Sequence, residues 1–270
     1  MGTNVASGHL TAERLTKIYR TKGREPVVAI EDCSVDIEPG KLTVIMGASG
    51  CGKSTLAYLL AGYLKPDQGD IRLNGRPVGG PGHDRVMVFQ ETALWPWKTV
   101  MENVVFGPLA RKELRRGEAE RQALELIERF GLYDFRDKYP EQLSGGMKRR
   151  AEIAQALMNR PEVMIMDEPF RGLDEMTREL MQEYYLKLFE DTRLTTLFIT
   201  SELEEAIFLA DRVLVMGDSP ARIVSTIEVD LPHPRTFELL DSSEYLELKK
   251  TAMRELYAHA QHEGQVSVSA

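Results

Sequence analysis

The sequence has few cysteines, no long apolar run and no excess of positive charge. Cys33 and Cys51 are its only cysteines in 270 residues, which excludes a disulfide framework. Apolar stretches such as 57–64 fall well short of the roughly 20 residues that a membrane-spanning helix needs. The net charge of −8 makes general nucleic-acid binding a poor fit, and we expect no such partner. The first ten residues lack a basic segment followed by an apolar run, so we expect no secretory signal and a soluble, cytosolic protein.

Short apolar runs of strand length alternate with helical patterns along the chain. Continuous apolar runs are typical of strands buried on both faces of a parallel sheet, and they lie at 42–46, 86–89, 163–166, 196–199 and 213–216. Within the first forty residues, apolar residues mostly alternate with polar ones, which favours a half-buried antiparallel sheet. The sequence therefore predicts an α/β fold with a mostly parallel sheet and an N-terminal antiparallel β subdomain.

Residues from about 91 to 160 are mainly helical in pattern and carry no strong strand signal. In 118–130 the apolar residues follow a 3.6-residue period. We expect an inserted helical subdomain there. The tail ends in one amphipathic helix over 243–257, with an apolar stripe of Tyr245, Leu248, Ala252 and Leu256. That stripe packs against the main body or forms a partner interface, and the sequence leaves both open.

A glycine-rich loop fits the pattern G-x-x-x-x-G-K-[ST] between a buried strand and a helix. It consists of Gly47, Ala48, Ser49, Gly50, Cys51, Gly52, Lys53 and Ser54, and Thr55 follows. The glycines let successive backbone N–H groups point at phosphate oxygens, and the helix N-terminus adds its positive dipole end. Lys53 can reach the β and γ phosphates, and the Ser54 hydroxyl can bind Mg²⁺. The loop predicts a nucleoside triphosphate site.

Two carboxylates follow the apolar strand 163–166. Asp167 is expected to hold Mg²⁺, directly or through water, and Glu168 to polarise the attacking water. Ligands of open α/β sheets bind at the carboxyl ends of the strands, where these two side chains are expected.

The segment Leu143-Ser144-Gly145-Gly146-Met147 narrows the class of phosphate-loop protein. It resembles the signature motif of ABC-transporter ATPases. Serine and two glycines before a helix, predicted over 148–159, make an anion-binding N-terminus. The resemblance implies that Ser144, Gly145 and Gly146 contact the γ-phosphate bound to a second ATPase subunit. It also implies a head-to-tail dimer, a homodimer in the simplest case, with composite sites.

Three more residues match the family in order. Gln90 matches the glutamine that touches Mg²⁺ and the water, Tyr19 the aromatic residue that stacks on adenine, and Asp174 the aspartate that crosses the dimer interface. The resemblance covers roughly residues 10–225. It implies an ABC ATPase cassette over 1–225, with the helical subdomain at about 91–160 and a C-terminal extension over 226–270.

A finer resemblance points to the ATPases of nitrate, sulfonate and taurine importers. It is carried by Pro81-Gly82-His83-Asp84-Arg85, Leu94-Trp95-Pro96-Trp97, Glu102-Asn103-Val104, Met147, Arg222-Ile223-Val224 and Val229-Asp230-Leu231-Pro232. It implies a subunit at the cytoplasmic face of the membrane that powers import of a small solute through separate permease subunits and, indirectly, a solute-binding protein. The alternatives are a hydrolysis-poor regulatory subunit and a soluble ABC ATPase outside transport. The second alternative is disfavoured because only about 90 residues separate Gly52 from Leu143 and no heptads appear.

Ser201 departs from the family pattern, which has a histidine that holds the γ-phosphate. Serine lacks the imidazole's second nitrogen and charge but still offers one hydroxyl. Two expectations follow: slower hydrolysis with Glu168 as the main base, or a hydrolysis-poor subunit.

Other departures are smaller. Arg171 replaces a smaller residue and is expected on the solvated surface or near the dimer interface, and Gln155 is expected to be a surface change. Cys51 lies at a helix N-terminus, which favours a reactive thiolate; the alternative is a small filler. Trp95 and Trp97 either pack within the helical subdomain or form a groove, near Asn103 and Phe106, for a short helix of a membrane partner.

Overall fold

The computed structural model describes residues 8–261. The strands are β1 (Leu10–Tyr19), β2 (Val27–Ile37), β3 (Leu42–Met46), β4 (Gln68–Leu73), β5 (Arg76–Pro77), β6 (Arg85–Val88), β7 (Val163–Asp167), β8 (Thr195–Thr200), β9 (Arg212–Met216) and β10 (Ile223–Glu228). The helices are α1 (Lys53–Leu60), α2 (Val100–Ala110), α3 (Arg116–Arg129), α4 (Gly145–Met158), α5 (Glu175–Thr192), α6 (Leu203–Leu209) and α7 (Ser243–Gln261). Two parts of the chain lie outside the described residues. They are residues 1–7, in the segment expected to carry no secretory signal, and residues 262–270, at the end of the predicted extension.

All five predicted buried strands belong to one six-stranded sheet, in the order β10-β9-β3-β8-β7-β6. Its pairs are parallel except for β10, which runs antiparallel to β9. β3 lies in the middle and pairs with β8 from Leu42↔Thr196 to Met46↔Thr200. Every residue of β3, β7 and β8 is buried, because helices or the second sheet cover both faces. The predicted α/β class with a mostly parallel sheet is confirmed.

Alternate residues of β3 enter two different hydrophobic clusters. Val44 and Met46 pack in the cluster that contains Tyr185 of α5 and the helices between β6 and β7. Ile45 packs in the other cluster with Leu56 of α1 and the N-terminal sheet. Each such buried side chain contributes roughly 1.5–3 kcal/mol relative to exposure to water. The two clusters fix both faces of the strand that leads into the glycine-rich loop.

The N-terminal β subdomain is a four-stranded antiparallel sheet in the order β2-β1-β4-β5, as predicted. The hairpin of β4 and β5 was not predicted. Its signal is the pair Asn74–Gly75, with φ of 51° and 75°, since two positive φ values are the mark of a tight type I′ turn. Proline in β5 weakens a strand pattern, which hides the hairpin in the sequence.

Residues 91–160, all of them described, form α2, α3 and α4 with two short 3₁₀ turns and no strand. The predicted periodic helix is α3, and its buried residues are Ala119, Ala123 and Ile127. The signature helix α4 begins at Gly145 and not at the predicted Lys148. Ser144 acts as its N-cap, because the Ser144 hydroxyl accepts a hydrogen bond of 3.3 Å from the Met147 N–H. The cap stabilises the first turn despite its two glycines.

The tail is held to the main body by packing. Tyr245 and Ala252 of α7 are buried, and Leu248 and Leu256 are partly buried against the same hydrophobic cluster. The packing interpretation of the apolar stripe is therefore confirmed, and α7 extends past the predicted end to Gln261. No helix between residues 8 and 261 has both the length and the apolarity needed to cross a bilayer.

Candidate functional site

The glycine-rich loop lies at the carboxyl end of β3 and leads into α1. Gly52 has a φ of 116°, which L side chains rarely adopt. A Cβ on Gly47 would lie 2.7 Å from the Met216 carbonyl oxygen, so any side chain there would displace backbone. α1 ends at Leu60, and Gly62 then turns the chain with a φ of 84°. Loop and helix N-terminus together present backbone N–H groups suited to an anion.

Lys53 lies at the centre of this loop and is 4% exposed. Its ammonium donates hydrogen bonds of 2.8 Å to the Gly47 and Ala48 carbonyl oxygens. The same nitrogen lies 3.8 Å from Glu168 Oε1. A buried ammonium with three donors inside a loop of N–H groups is the donor set that phosphate oxygens need.

Asp167 ends β7 and is 2% exposed. Burial raises the pKa of its carboxyl, and the charge of Glu168 adds to this, whereas the Ser54 hydroxyl and the charge of Lys53 lower it. Asp167 Oδ1 is buried without a hydrogen-bond partner. An unpartnered carboxylate oxygen beside a hydroxyl is a hard oxygen pair that suits Mg²⁺, which binds one or two protein oxygens and completes its shell with phosphates and water.

Glu168 has a strained backbone and two cationic neighbours. Its φ is 42°, a value that costs of order 1–3 kcal/mol in a residue with a side chain and that clusters at functional sites. Its N–H donates to the Ile199 carbonyl oxygen at 2.9 Å. Arg171 Nη1 donates to Glu168 Oε2 at 2.6 Å. Arg171 was expected at the dimer interface or in solvent, and its contact with Glu168 was missed; the three-residue spacing is the only sequence signal for it.

Sheet register brings the other predicted residues to this edge. Val88 of β6 pairs with Met166 of β7, so Gln90 and Glu168 each lie two residues past a paired position. Met46 pairs with Thr200, so Ser201 lies beside Gly47 in register. Gln90 and Ser201 are both exposed.

Tyr19 lies beside Thr55 in the first turn of α1, and its hydroxyl is 3.3 Å from Thr55 Oγ1. Tyr19 is 41% exposed, and its ring is available for stacking.

The signature residues contact the Asp174 segment and not the glycine-rich loop. A Cβ on Gly146 would lie 2.8 Å from Thr177 Cγ2, so α4 approaches α5 closely. Asp174 caps α5 by accepting hydrogen bonds from the Thr177 N–H at 3.0 Å and the Thr177 hydroxyl at 2.7 Å. In the described residues, no hydrogen bond or ion pair joins 144–146 to 47–55. These residues thus form a second surface, separate from the chain's own loop.

The structure decides between the two interpretations of Cys51 and corrects the expectation for Gln155. Cys51 does not carry a favoured thiolate: burial raises the pKa of its thiol, although the charge of Lys53 opposes the shift, and the side chain is 4% exposed. The thiol is the small filler of the alternative interpretation. Gln155 is half-buried and donates a hydrogen bond of 3.1 Å to the Asn103 carbonyl oxygen, so it is not a surface change.

The tryptophans form an exposed aromatic cluster of Trp95, Trp97 and Phe106. Ring centroids are 5.2 Å apart for Trp95 and Trp97 and 5.5 Å apart for Trp95 and Phe106. Asn103 is fully buried below them and accepts a hydrogen bond of 2.8 Å from the Trp95 N–H. Trp97 is 65% exposed, so packing within the helices does not account for the cluster. The predicted proximity of Asn103 and Phe106 is confirmed.

Comparison with known proteins identifies the class. The model of the ABC transporter family matches residues 30–171, just over half of the chain, and the chain belongs to this family. It is 40% identical to the nitrate import ATP-binding protein NrtD of Synechococcus elongatus, over 96% of this chain and 95% of that protein. It is 39% identical to the bicarbonate transport ATP-binding protein CmpD of the same species, over 94% and 92%.

A solved structure supports the fold. A dimeric ATP-binding cassette in a post-hydrolysis state with bound ADP and Pi superposes with a TM-score of 0.72 and 28% identity, covering 83% of this chain and 100% of that chain. The chain is thus an ATP-binding ABC ATPase, and the predicted resemblance to the branch that includes nitrate importers is confirmed.

Proposed function

We propose that this chain hydrolyses ATP to power a membrane importer of a small solute, such as nitrate, a sulfonate, taurine or a related nitrogen compound. The observation that carries the proposal is the meeting of Lys53, the unpartnered Asp167 oxygen and Glu168 at one edge of the sheet. Relatives named for nitrate import and bicarbonate transport support the import role. The test is co-expression with candidate permease subunits in membrane vesicles. Solute uptake into vesicles should require ATP and an intact Glu168.

In this account each residue has one task. The loop N–H groups of residues 47–55 and Lys53 bind the phosphates, and Tyr19 stacks on adenine. Ser54, Asp167 and Gln90 hold Mg²⁺, which neutralises charge on the β and γ phosphates when bound. Glu168 orients the attacking water and accepts its proton. The burial of Lys53 and Asp167 excludes solvent and strengthens these electrostatic contacts.

We further propose a head-to-tail homodimer in which Ser144, Gly145, Gly146 and Asp174 meet the nucleotide bound to the second copy. The free N–H groups at the start of α4 suit a γ-phosphate, and they do not contact the chain's own loop. Light scattering of Glu168→Gln with MgATP should report a dimer. The double variant Ser144→Arg/Glu168→Gln should stay monomeric, and a monomeric Glu168→Gln would contradict the composite site.

The aromatic cluster of Trp95, Trp97 and Phe106 is the proposed contact with a short permease helix at the cytoplasmic face of the membrane. Beside it, Phe106, Gly107 and Gln155 line a cavity of about 230 Å³. Trp95→Ala should weaken both permease binding and transport-coupled hydrolysis. Tyr133→Ala, which removes another exposed aromatic ring, is the matched control. Unchanged binding and coupling in Trp95→Ala would overturn this contact.

The solute and the binding protein are tested separately, by a thermal-shift screen of solutes on the cognate solute-binding protein.

We propose that the chain divides into a cassette over 1–225, with a helical subdomain at about 91–160, and an extension over 226–270. β10 spans Ile223–Glu228 and so crosses the proposed boundary at residue 225.

A competing function, a hydrolysis-poor regulatory subunit, is favoured by Ser201 alone. The steady-state rate of ATP hydrolysis decides between an active ATPase and a regulatory subunit.

A further inference from the structure

The signature helix α4 carries a buried ion pair that no nucleotide contact requires. Arg149 Nη1 lies 2.8 Å from Glu152 Oε2, and the two side chains are 7% and 5% exposed. Burial lowers the pKa of Arg149 and raises the pKa of Glu152, and the charge of each opposes the shift of the other. Such a pair adds little stability compared with apolar residues of the same size. Its presence therefore points to a role in positioning.

Both side chains bind the backbone of the segment that follows β6. Arg149 donates hydrogen bonds of 2.7 Å to the Phe89 carbonyl oxygen and, through its other terminal nitrogen, to the Gln90 carbonyl oxygen. Glu152 Oε1 accepts a hydrogen bond of 2.5 Å from the Ala93 N–H. Among the described residues, no backbone–backbone hydrogen bond holds 90–94 to the sheet. In the described structure, hydrogen bonds therefore hold this segment to α4, and none holds its backbone to the sheet.

The same helix and segment connect two distant surfaces. Ser144 caps α4 five residues before Arg149, a distance of about 7.5 Å along a rigid helix. At the other end, the segment continues to Trp95, whose N–H is held by Asn103 of α2. The fork of a guanidinium reaches two carbonyl oxygens at once, which a lysine ammonium on a flexible stem does not reproduce.

We propose that Arg149 and Glu152 are positioning residues that clamp the backbone at Gln90 to α4, so that the signature helix and not β6 sets the place of Gln90 relative to Asp167 and Glu168. The inference rests on the proposed role of Gln90 at the ATP site, and it adds that Arg149 and Glu152 hold Gln90 in place.

The test compares Arg149→Lys and Glu152→Ala with Arg150→Lys. Arg150 is the matched control, because it lies on the same helix and donates to the Phe130 carbonyl oxygen instead. Arg149→Lys keeps the charge opposite Glu152, so the thermal midpoint should change little. Amide hydrogen exchange in residues 90–94 should become about tenfold faster, because the anchoring bonds are lost. kcat for ATP should fall about tenfold, with KM within about twofold.

Glu152→Ala removes the acceptor of the Ala93 N–H and should give the same exchange result if Arg149→Lys does not fold. Unchanged exchange in both variants, or equal acceleration in Arg150→Lys, overturns the clamp. Gln90→Ala tests the role of Gln90 independently of the clamp. If its kcat is normal, the role of Gln90 fails, whereas the exchange measurement still decides whether the clamp exists.

Discussion

Arg171 and Glu168 form an ion pair at the edge of the phosphate site, with Nη1 of Arg171 2.6 Å from Oε2 of Glu168. The other carboxylate oxygen of Glu168 faces Lys53 at 3.8 Å. The carboxylate proposed to orient the attacking water is therefore held between two cations, one buried and one half-exposed. This arrangement fixes the direction of the carboxylate before any water binds.

Arg171→Ala should lower kcat and leave KM for ATP unchanged, because the carboxylate of Glu168 becomes free to rotate. An ion pair with one half-exposed partner contributes at most about 1 kcal/mol, which corresponds to about fivefold in rate. Arg171→Lys should restore most of the loss. Arg116→Ala, which removes an exposed arginine paired with Glu120 on α3, is the control. A raised KM with unchanged kcat would show that Arg171 acts in binding instead.

Ser201→His should raise kcat by up to about a hundredfold. A donor to the γ-phosphate contributes about 3 kcal/mol to transition-state stabilisation, and exposed Ser201 leaves space for the ring. Ser201→Ala should change little, since Ser201 makes no side-chain hydrogen bond in the described structure. Steady-state phosphate release checks both. No gain in Ser201→His, together with a negligible wild-type rate, would favour the regulatory subunit.

The stability of the protein should decrease between about pH 9 and pH 11 through Cys33. Burial, supported by the charge of Asp32 and opposed by a hydrogen bond from Ile223, raises the pKa of Cys33 from 9.0 to about 11. The folded state keeps the proton that the unfolded chain releases, so this stabilisation is complete below pH 9 and is lost as the pH rises through 11. The effect is roughly 2–3 kcal/mol.

Urea unfolding at several pH values, in wild type and Cys33→Ala, measures this slope. Between about pH 9 and pH 11, Cys33→Ala should lose less free energy of unfolding than wild type, whatever the difference between the two proteins at neutral pH. Parallel curves would contradict the assignment to Cys33.

Cys51 should resist alkylation at neutral pH despite its place in the phosphate loop. Burial raises the pKa of the thiol and also blocks access of the reagent. In a Cys33→Ala background, iodoacetamide should modify Cys51 slowly in buffer and rapidly in denaturant. Rapid labelling of the folded protein would mean that the loop opens far more than its packing indicates.

Features set by local pattern could be predicted from the sequence. The runs that became β3, β7 and β8 are buried on both sides and so are continuously apolar. The loop at Gly47–Lys53 requires glycine for backbone reasons, and both signals survive in any tertiary context. The carboxyl edge of a parallel sheet then brings Asp167 and Glu168 to the loop without further information.

Contacts made by long side chains could not be predicted. Arg171 and Arg149 each have several staggered torsions, and only the packed structure selects the direction that reaches Glu168 or the Gln90 carbonyl. The start of α4 was misplaced because glycine has low helix propensity, whereas the Ser144 cap and packing against α5 override it. Gln155 was misjudged because a polar residue gives no sign of half-burial.

The central claim, that this site hydrolyses ATP with Glu168 as the base, is tested most directly by steady-state hydrolysis in wild type and Glu168→Gln. The isosteric amide keeps the shape of the site and removes the proton acceptor. We predict that the variant binds MgATP as tightly as wild type and hydrolyses it at least about a hundredfold more slowly. Equal rates in the two proteins would contradict the account.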